Sequence, residues 1–104
     1  MKIGIVGSGN IGATIAHLFA KAGHQVKISN SRGPVSLKAL VKSIGSNNVT
    51  AATPERAVRL AQVVLLAIPW RKKHELPASD LFKGKIVIDA MNPYSENFAL
   101  PFNM

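Results

Sequence analysis

The stretch "KIGIVGSGNIG", Lys2 to Gly12, decides the fold. Its first six residues are rich in Ile and Val and close on glycine, which predicts a short buried strand. Its last six, Gly7 to Gly12, fit the pattern G-x-G-x-x-G. Alone that pattern is weak, because glycine-rich turns are common. The setting gives it force, since a strand runs directly into it and a helical pattern begins inside it. Gly7 permits a tight turn, Gly9 lets the backbone approach a pyrophosphate, and Gly12 lets a helix pack closely on a strand. The backbone N–H groups near Asn10 and Ile11 would face phosphate at the start of the helix, where the helix dipole also favours negative charge. Gly7, Ser8, Gly9, Asn10, Ile11 and Gly12 are therefore the expected cradle of a dinucleotide, against the alternative of a structural turn with no ligand. The lysine and hydroxyl pair of an ATP-hydrolysing loop is missing from it.

Working outward, Ile11, Ile15, Leu18, Phe19 and Ala22 recur at helical spacing, and Gly23 suits the position just past a helix end. "QVKIS" predicts a second strand. Val35, Leu37, Leu40, Val41 and Ile44 suggest a second helix, stopped by Gly45, and "NVTAAT" a short third strand. Thr53 and Pro54 have the chemistry of a cap and first residue for a helix reaching about Leu60. "AQVVLLAI" is apolar throughout, as expected of a strand covered on both faces. "RKKHELPASDLFKG" predicts a short helix interrupted by Pro77, "KIVIDA" a further strand, and "MNPYSENFALPFNM" an irregular tail. Strands alternating with helices imply an α/β domain with a doubly wound parallel sheet, a Rossmann-like arrangement. The length of 104 residues suits one domain, spanning 1–104, that buries roughly two-thirds of its unfolded surface.

Nothing acidic follows the second strand. Dinucleotide-binding folds that prefer NAD place Asp or Glu about 20 residues past the glycine loop, where it accepts from the ribose 2′-OH. Here that count falls on "SNSRGP", Ser29 to Pro34. A carboxylate there would repel the 2′-phosphate of NADP. Asn30 and Ser31 can instead donate neutral hydrogen bonds, and Arg32 can fork two donors onto phosphate oxygens. The expected cofactor is NADP.

Charge agrees. The net charge is +8, and residues 1–54 contain no Asp or Glu; Glu55 is the first acid. Such a segment attracts anions, nucleotide cofactors and nucleic acid alike. Nucleic acid is disfavoured, because the chain has one Trp, one Tyr and four Phe and no recognisable binding motif. There is no cysteine, which excludes disulfides, thiolate metal sites and Cys nucleophiles. His17, His24 and His74 lack partners at metal-binding spacing, so no metal site is expected, and no residue is singled out as a catalytic acid or base. The longest apolar run, Val63 to Ile68, is too short to span a bilayer, and the N-terminus makes a poor signal peptide. A cytoplasmic protein is the expectation.

With these residues in hand, the chain resembles the N-terminal NADP-binding domain of the NADPH-dependent deazaflavin (coenzyme F420) reductase family. The resemblance rests on "KIGIVGSGNIGATIAHLFAKAGHQV", "SNSRGP", "VVLLAIPW" and "GKIVIDAMNPY", distributed over residues 2–94. It implies that Ser31 and Arg32, with Asn30 beside them, hold the 2′-phosphate. It also implies that Ile68, Pro69 and Trp70 lie along the ribose and nicotinamide side, with Asn92 and Pro93 closing the crevice; Trp70 equally suits packing under the sheet rim. The implied activity is hydride transfer between NADPH and a deazaflavin or flavin acceptor by a homodimer. Members of that family are longer, and their C-terminal part helps to build the acceptor pocket and the dimer. A catalytically silent NADP-binding module is the alternative.

Overall fold

A computed structural model describes residues 1–68 and 76–90. Five strands form one parallel sheet: β1 (Lys2–Val6), β2 (Gln25–Ser29), β3 (Val49–Ala52), β4 (Val63–Leu66) and β5 (Ile86–Asp89), in the spatial order β3-β2-β1-β4-β5. Three α-helices accompany them: α1 (Asn10–Lys21), α2 (Lys38–Ile44) and α3 (Pro54–Arg59). This is the doubly wound, Rossmann-like sheet, and its order reverses between β1 and β4.

The two faces are built differently. On one, Ile3, Ile5, Val26, Ile28, Val49, Val63 and Leu65 pack with Ala16, Ala20 and Leu37, and with the partly buried Ile15, Phe19, Leu40, Val41 and Ile44 of α1 and α2. On the other, Val6, Val64 and Leu66 meet Val58 and Ala61 at α3. Every residue of β4 is buried, as its unbroken apolar run predicts for a central parallel strand.

The stripe that α1 turns inward differs from the expected one. Ile11, Leu18 and Ala22 are exposed, whereas Gly12, Ala16 and Ala20 are buried. Those three small residues stand four apart, so the helix backbone lies close over the sheet, with Ile15 and Phe19 flanking the seam. A pattern search weighted to large apolar residues passes over such a seam.

The second helix also begins differently. Pro34–Leu37 form a 3-10 turn, and α2 starts only at Lys38. The tighter winding rotates Val35 out of the apolar stripe, and it is 76% exposed. Gly45 ends α2 in the left-handed conformation, as expected. At α3, the Thr53 side chain accepts from the Arg56 N–H at 3.2 Å and Pro54 is the first helical residue. That cap contributes about 1 kcal/mol. At the far end, the Lys85 ammonium donates to the carbonyls of Arg59 and Ala61, satisfying groups that the helix terminus leaves open.

β5 is the edge strand beside β4. Ile86 and Ile88 share the α1/α2 face yet are 63% and 44% exposed, and Val87 on the opposite face is 42% exposed. Around Pro77 the helical expectation gives way to a 3-10 turn over Ser79–Phe82. Residues 76–78 before it are irregular, and residues 71–75 of the predicted helix and the tail from residue 91 lie outside the described residues. No helix among the described residues is long and apolar enough to cross a membrane.

Candidate functional site

The candidate site lies where the sheet order reverses, at the carboxyl ends of β1, β2 and β4. β1 runs into Gly7, whose φ of 116° lies in the region that side-chain-bearing residues rarely adopt. The turn is held from both sides. The Gly7 N–H donates to the Ser29 carbonyl at 2.8 Å, and the Ala67 N–H donates to the Val6 carbonyl at 2.8 Å. A methyl group on Gly7 would also meet the Ala67 carbonyl and come within 3.0 Å of Ile68 Cγ2. Gly7 and Ile68 are thus neighbours across the switch point.

The helix start is open to a ligand. Gly9 precedes α1 in an extended conformation, with no side chain capping the helix and no acidic residue in its first turn. The first intrahelical bond is Ala13 N–H to the Gly9 carbonyl, at 2.9 Å. The N–H groups of Asn10, Ile11 and Gly12 precede it and have no partner within the helix. A Cβ built on Gly9 would meet nothing within 4 Å, so open space lies beside the residue that precedes the helix. At Gly12 the constraint is opposite, because a Cβ there would collide with the Gly7 carbonyl.

β2 ends in Ser29, which is fully buried and donates its hydroxyl proton to the Ile5 carbonyl at 2.7 Å. Ser29 therefore locks β2 to β1 and is turned away from solvent. Asn30 follows, 7% exposed, and its amide reaches Ser8 Oγ of the glycine turn at 3.3 Å and Ser36 Oγ at 3.0 Å. Its carbonyl oxygen accepts from the backbone N–H groups of Arg32 and Gly33, at 3.1 and 2.9 Å. Ser31 and Arg32 are exposed at the tip of this loop. Through the Asn30–Ser8 bond, the loop that carries Arg32 is tied to the glycine turn.

Of the residues singled out from sequence, Gly7, Ser8, Gly9, Ile11, Gly12, Asn30, Ser31, Arg32 and Ile68 fall on this end of the sheet, and Asn10 opens α1 there. Pro69, Trp70, Asn92 and Pro93 lie outside the described residues, as does His74. The inward wiring of Asn30 and the part played by Ser36 were not anticipated. The Asn-x-x-Gly spacing was the available signal, since Asn side chains commonly accept from backbone N–H groups two residues on.

An adenine dinucleotide carrying a 2′-phosphate suits these residues. Uncapped first-turn backbone donors, with open space beside Gly9, match a pyrophosphate. The exposed guanidinium, with no carboxylate in the first 54 residues, matches a further phosphate. A groove of about 280 Å³ lies elsewhere, lined by Lys2, Gln25, Lys27, Asn47, Thr50 and Leu60 among others. It opens at the amino ends of β1 to β3, so concavity and the phosphate donors do not coincide. In open parallel sheets ligands bind beyond the carboxyl ends of the strands, and the glycine turn carries the stronger claim.

The model of the family described as NADP oxidoreductase, coenzyme F420-dependent, matches residues 2–93. The chain belongs to this family. Among solved structures, it is similar to a hypothetical protein from Sinorhizobium meliloti, at 31% identity and a TM-score of 0.76, over 100% of this chain and 50% of the other. It is also similar to a candidate F420-dependent NADP reductase from Arthrobacter sp. FB24, at 26% identity and a TM-score of 0.78, over 97% of this chain and 49% of the other. A UDP-glucose dehydrogenase from Pyrobaculum islandicum shares the fold alone, at 22% identity and a TM-score of 0.52, over 64% of this chain and 19% of the other. The chain therefore spans about half the length of the first two. No match was found among curated proteins.

Proposed function

We propose that this domain binds NADPH and takes part in hydride transfer between it and a deazaflavin or flavin acceptor. The observation that carries the cofactor choice is the acid-free loop Ser29–Gly33, which carries Arg32 and is tied to the glycine turn by the Asn30–Ser8 bond. Membership of the F420-dependent family supports the acceptor class. When bound, the nicotinamide supplies the hydride, and chemistry of this kind needs ring alignment more than proton shuttling. The protein's share is to bind and orient. The first turn of α1 holds the pyrophosphate, Arg32 and Ser31 hold the 2′-phosphate, and Ile68 lies along the sugar and nicotinamide side. Pro69, Trp70 and Asn92 belong to the same proposal.

Spectrophotometry of NADPH with F420 and with flavin mononucleotide as acceptors tests it. Acceptor-dependent NADPH oxidation above background is expected. Tight NADPH binding without turnover would favour the second reading, a catalytically silent NADP-binding module.

Assembly as a homodimer is part of the proposal. The apolar β5, exposed on both faces, is a surface that monomers seldom leave open. Sedimentation analysis is expected to give a dimer that Ile86→Lys dissociates, and a monomeric wild type would contradict this.

A further inference from the structure

We infer that Asn30 is a positioning residue that couples the two phosphate-holding loops, so that preference for a 2′-phosphorylated dinucleotide depends on a side chain that does not touch it. The inference rests on the proposed reading of the site and deepens it.

The hydrogen-bonding capacity of Asn30 is used up within the protein. An amide side chain offers two N–H donors and a carbonyl oxygen with two lone pairs. Both donors are engaged, one on Ser8 Oγ and one on Ser36 Oγ. The Ser36 hydroxyl has a single hydrogen. It lies 2.7 Å from the Gly33 carbonyl and 3.2 Å from Asn30 Oδ1, and the shorter contact takes it. Ser36 Oγ is thereby left to accept from the Asn30 amide. Both lone pairs of Oδ1 are occupied by the Arg32 and Gly33 N–H groups. The orientation of the amide follows from these bonds, because the flipped form would set its NH2 against two backbone donors. Nothing remains with which Asn30 could bind phosphate, and at 7% exposure it is largely shielded from a ligand.

The same bonds join two subsites that are separate in sequence. Ser8 belongs to the turn that faces the pyrophosphate, which NADPH and NADH share. The Arg32 and Gly33 backbone sets the direction of the loop that meets the 2′-phosphate, which only NADPH has. Gly33 sits at a φ of 98°, so the loop is held in one unusual conformation by the acceptor that Asn30 supplies. Without that acceptor the guanidinium is still present but no longer aimed. A phosphate on Arg32 and a pyrophosphate on the glycine turn thus favour the same arrangement of one amide, which is a coupling between sites.

Calorimetric titration of NADPH and NADH into wild type, Asn30→Ala, Arg32→Ala and the double variant tests this. Asn30→Ala is expected to weaken NADPH about tenfold or more, in the range typical of coupled sites, and NADH much less. In the Arg32→Ala background it should cost NADPH no more than it costs NADH. Equal weakening of both nucleotides by Asn30→Ala, with selectivity intact, would reduce Asn30 to a structural residue and overturn the inference alone. Absence of NADPH preference in wild type would overturn the reading of the site and the inference with it. Should Asn30→Ala not fold, Ser36→Ala, at an exposed position, takes its place. It is expected to reduce NADPH selectivity severalfold with NADH binding unchanged, and unaltered selectivity would count against the coupling.

Discussion

Gly12→Ala should destabilise the domain by about 3 kcal/mol and remove dinucleotide binding, although it adds one methyl group. The new carbon collides with the Gly7 carbonyl, a backbone atom that cannot rotate away, and stands 3.5 Å from Ile5 Cγ2. To admit it, α1 must lift from the glycine turn. That withdraws the first-turn N–H groups from the place where they would meet phosphate. For a domain of this size each kcal/mol lowers the melting temperature by roughly 4–8 °C, so a loss well above 10 °C is expected in a thermal melt. Gly9→Ala is the control. Its methyl meets nothing within 4 Å, so the fold should melt as wild type while the methyl occupies the space required by the pyrophosphate. The same substitution three residues apart therefore separates loss of fold from loss of binding. Two variants with unchanged melting temperatures would contradict the close contact of α1 on the turn.

Arg32→Ala should weaken NADPH binding by roughly ten- to several-hundredfold and leave NADH binding nearly unchanged. Charge-assisted hydrogen bonds contribute about 1.5–3 kcal/mol each, and every 1.4 kcal/mol is about tenfold. Arg32 is exposed, so removing it should change stability by no more than about 0.5 kcal/mol. The effect should also shrink as salt rises, because exposed charges are screened over about 8 Å at physiological ionic strength. Calorimetry across a salt series checks both points. Equal losses for the two nucleotides would refute the role given to Arg32.

Local chemistry made much of this fold legible. The apolar run of β4, the Thr53–Pro54 cap and the Gly45 stop each follow from one rule of backbone or burial, and each is present. The glycine turn was readable because Gly7 takes a conformation that side-chain-bearing residues rarely adopt and Gly12 must admit the Gly7 carbonyl. Less visible were features in which tertiary contact decides. α1 packs through Gly12, Ala16 and Ala20, whose small size makes them silent in an apolar pattern. Val35 left its expected face because Pro34 begins a 3-10 turn rather than an α-helix. Lys85 reads as one more surface cation, yet it closes the end of α3 across 24 residues to the Ala61 carbonyl. Asn30 could be read as a donor to a ligand, whereas its bonds point into the protein. That difference comes from Ser8 and Ser36, which the fold brings to it from opposite sides in sequence.

The central claim is that an acid-free loop carrying Arg32, beside a glycine turn, selects the 2′-phosphorylated dinucleotide. It is tested most directly by the ratio of NADH to NADPH dissociation constants for the wild-type protein at physiological salt. The expected result is NADPH bound at least about tenfold more tightly, the contribution of one charge-assisted contact. NADH bound as tightly as NADPH, or more tightly, would contradict it.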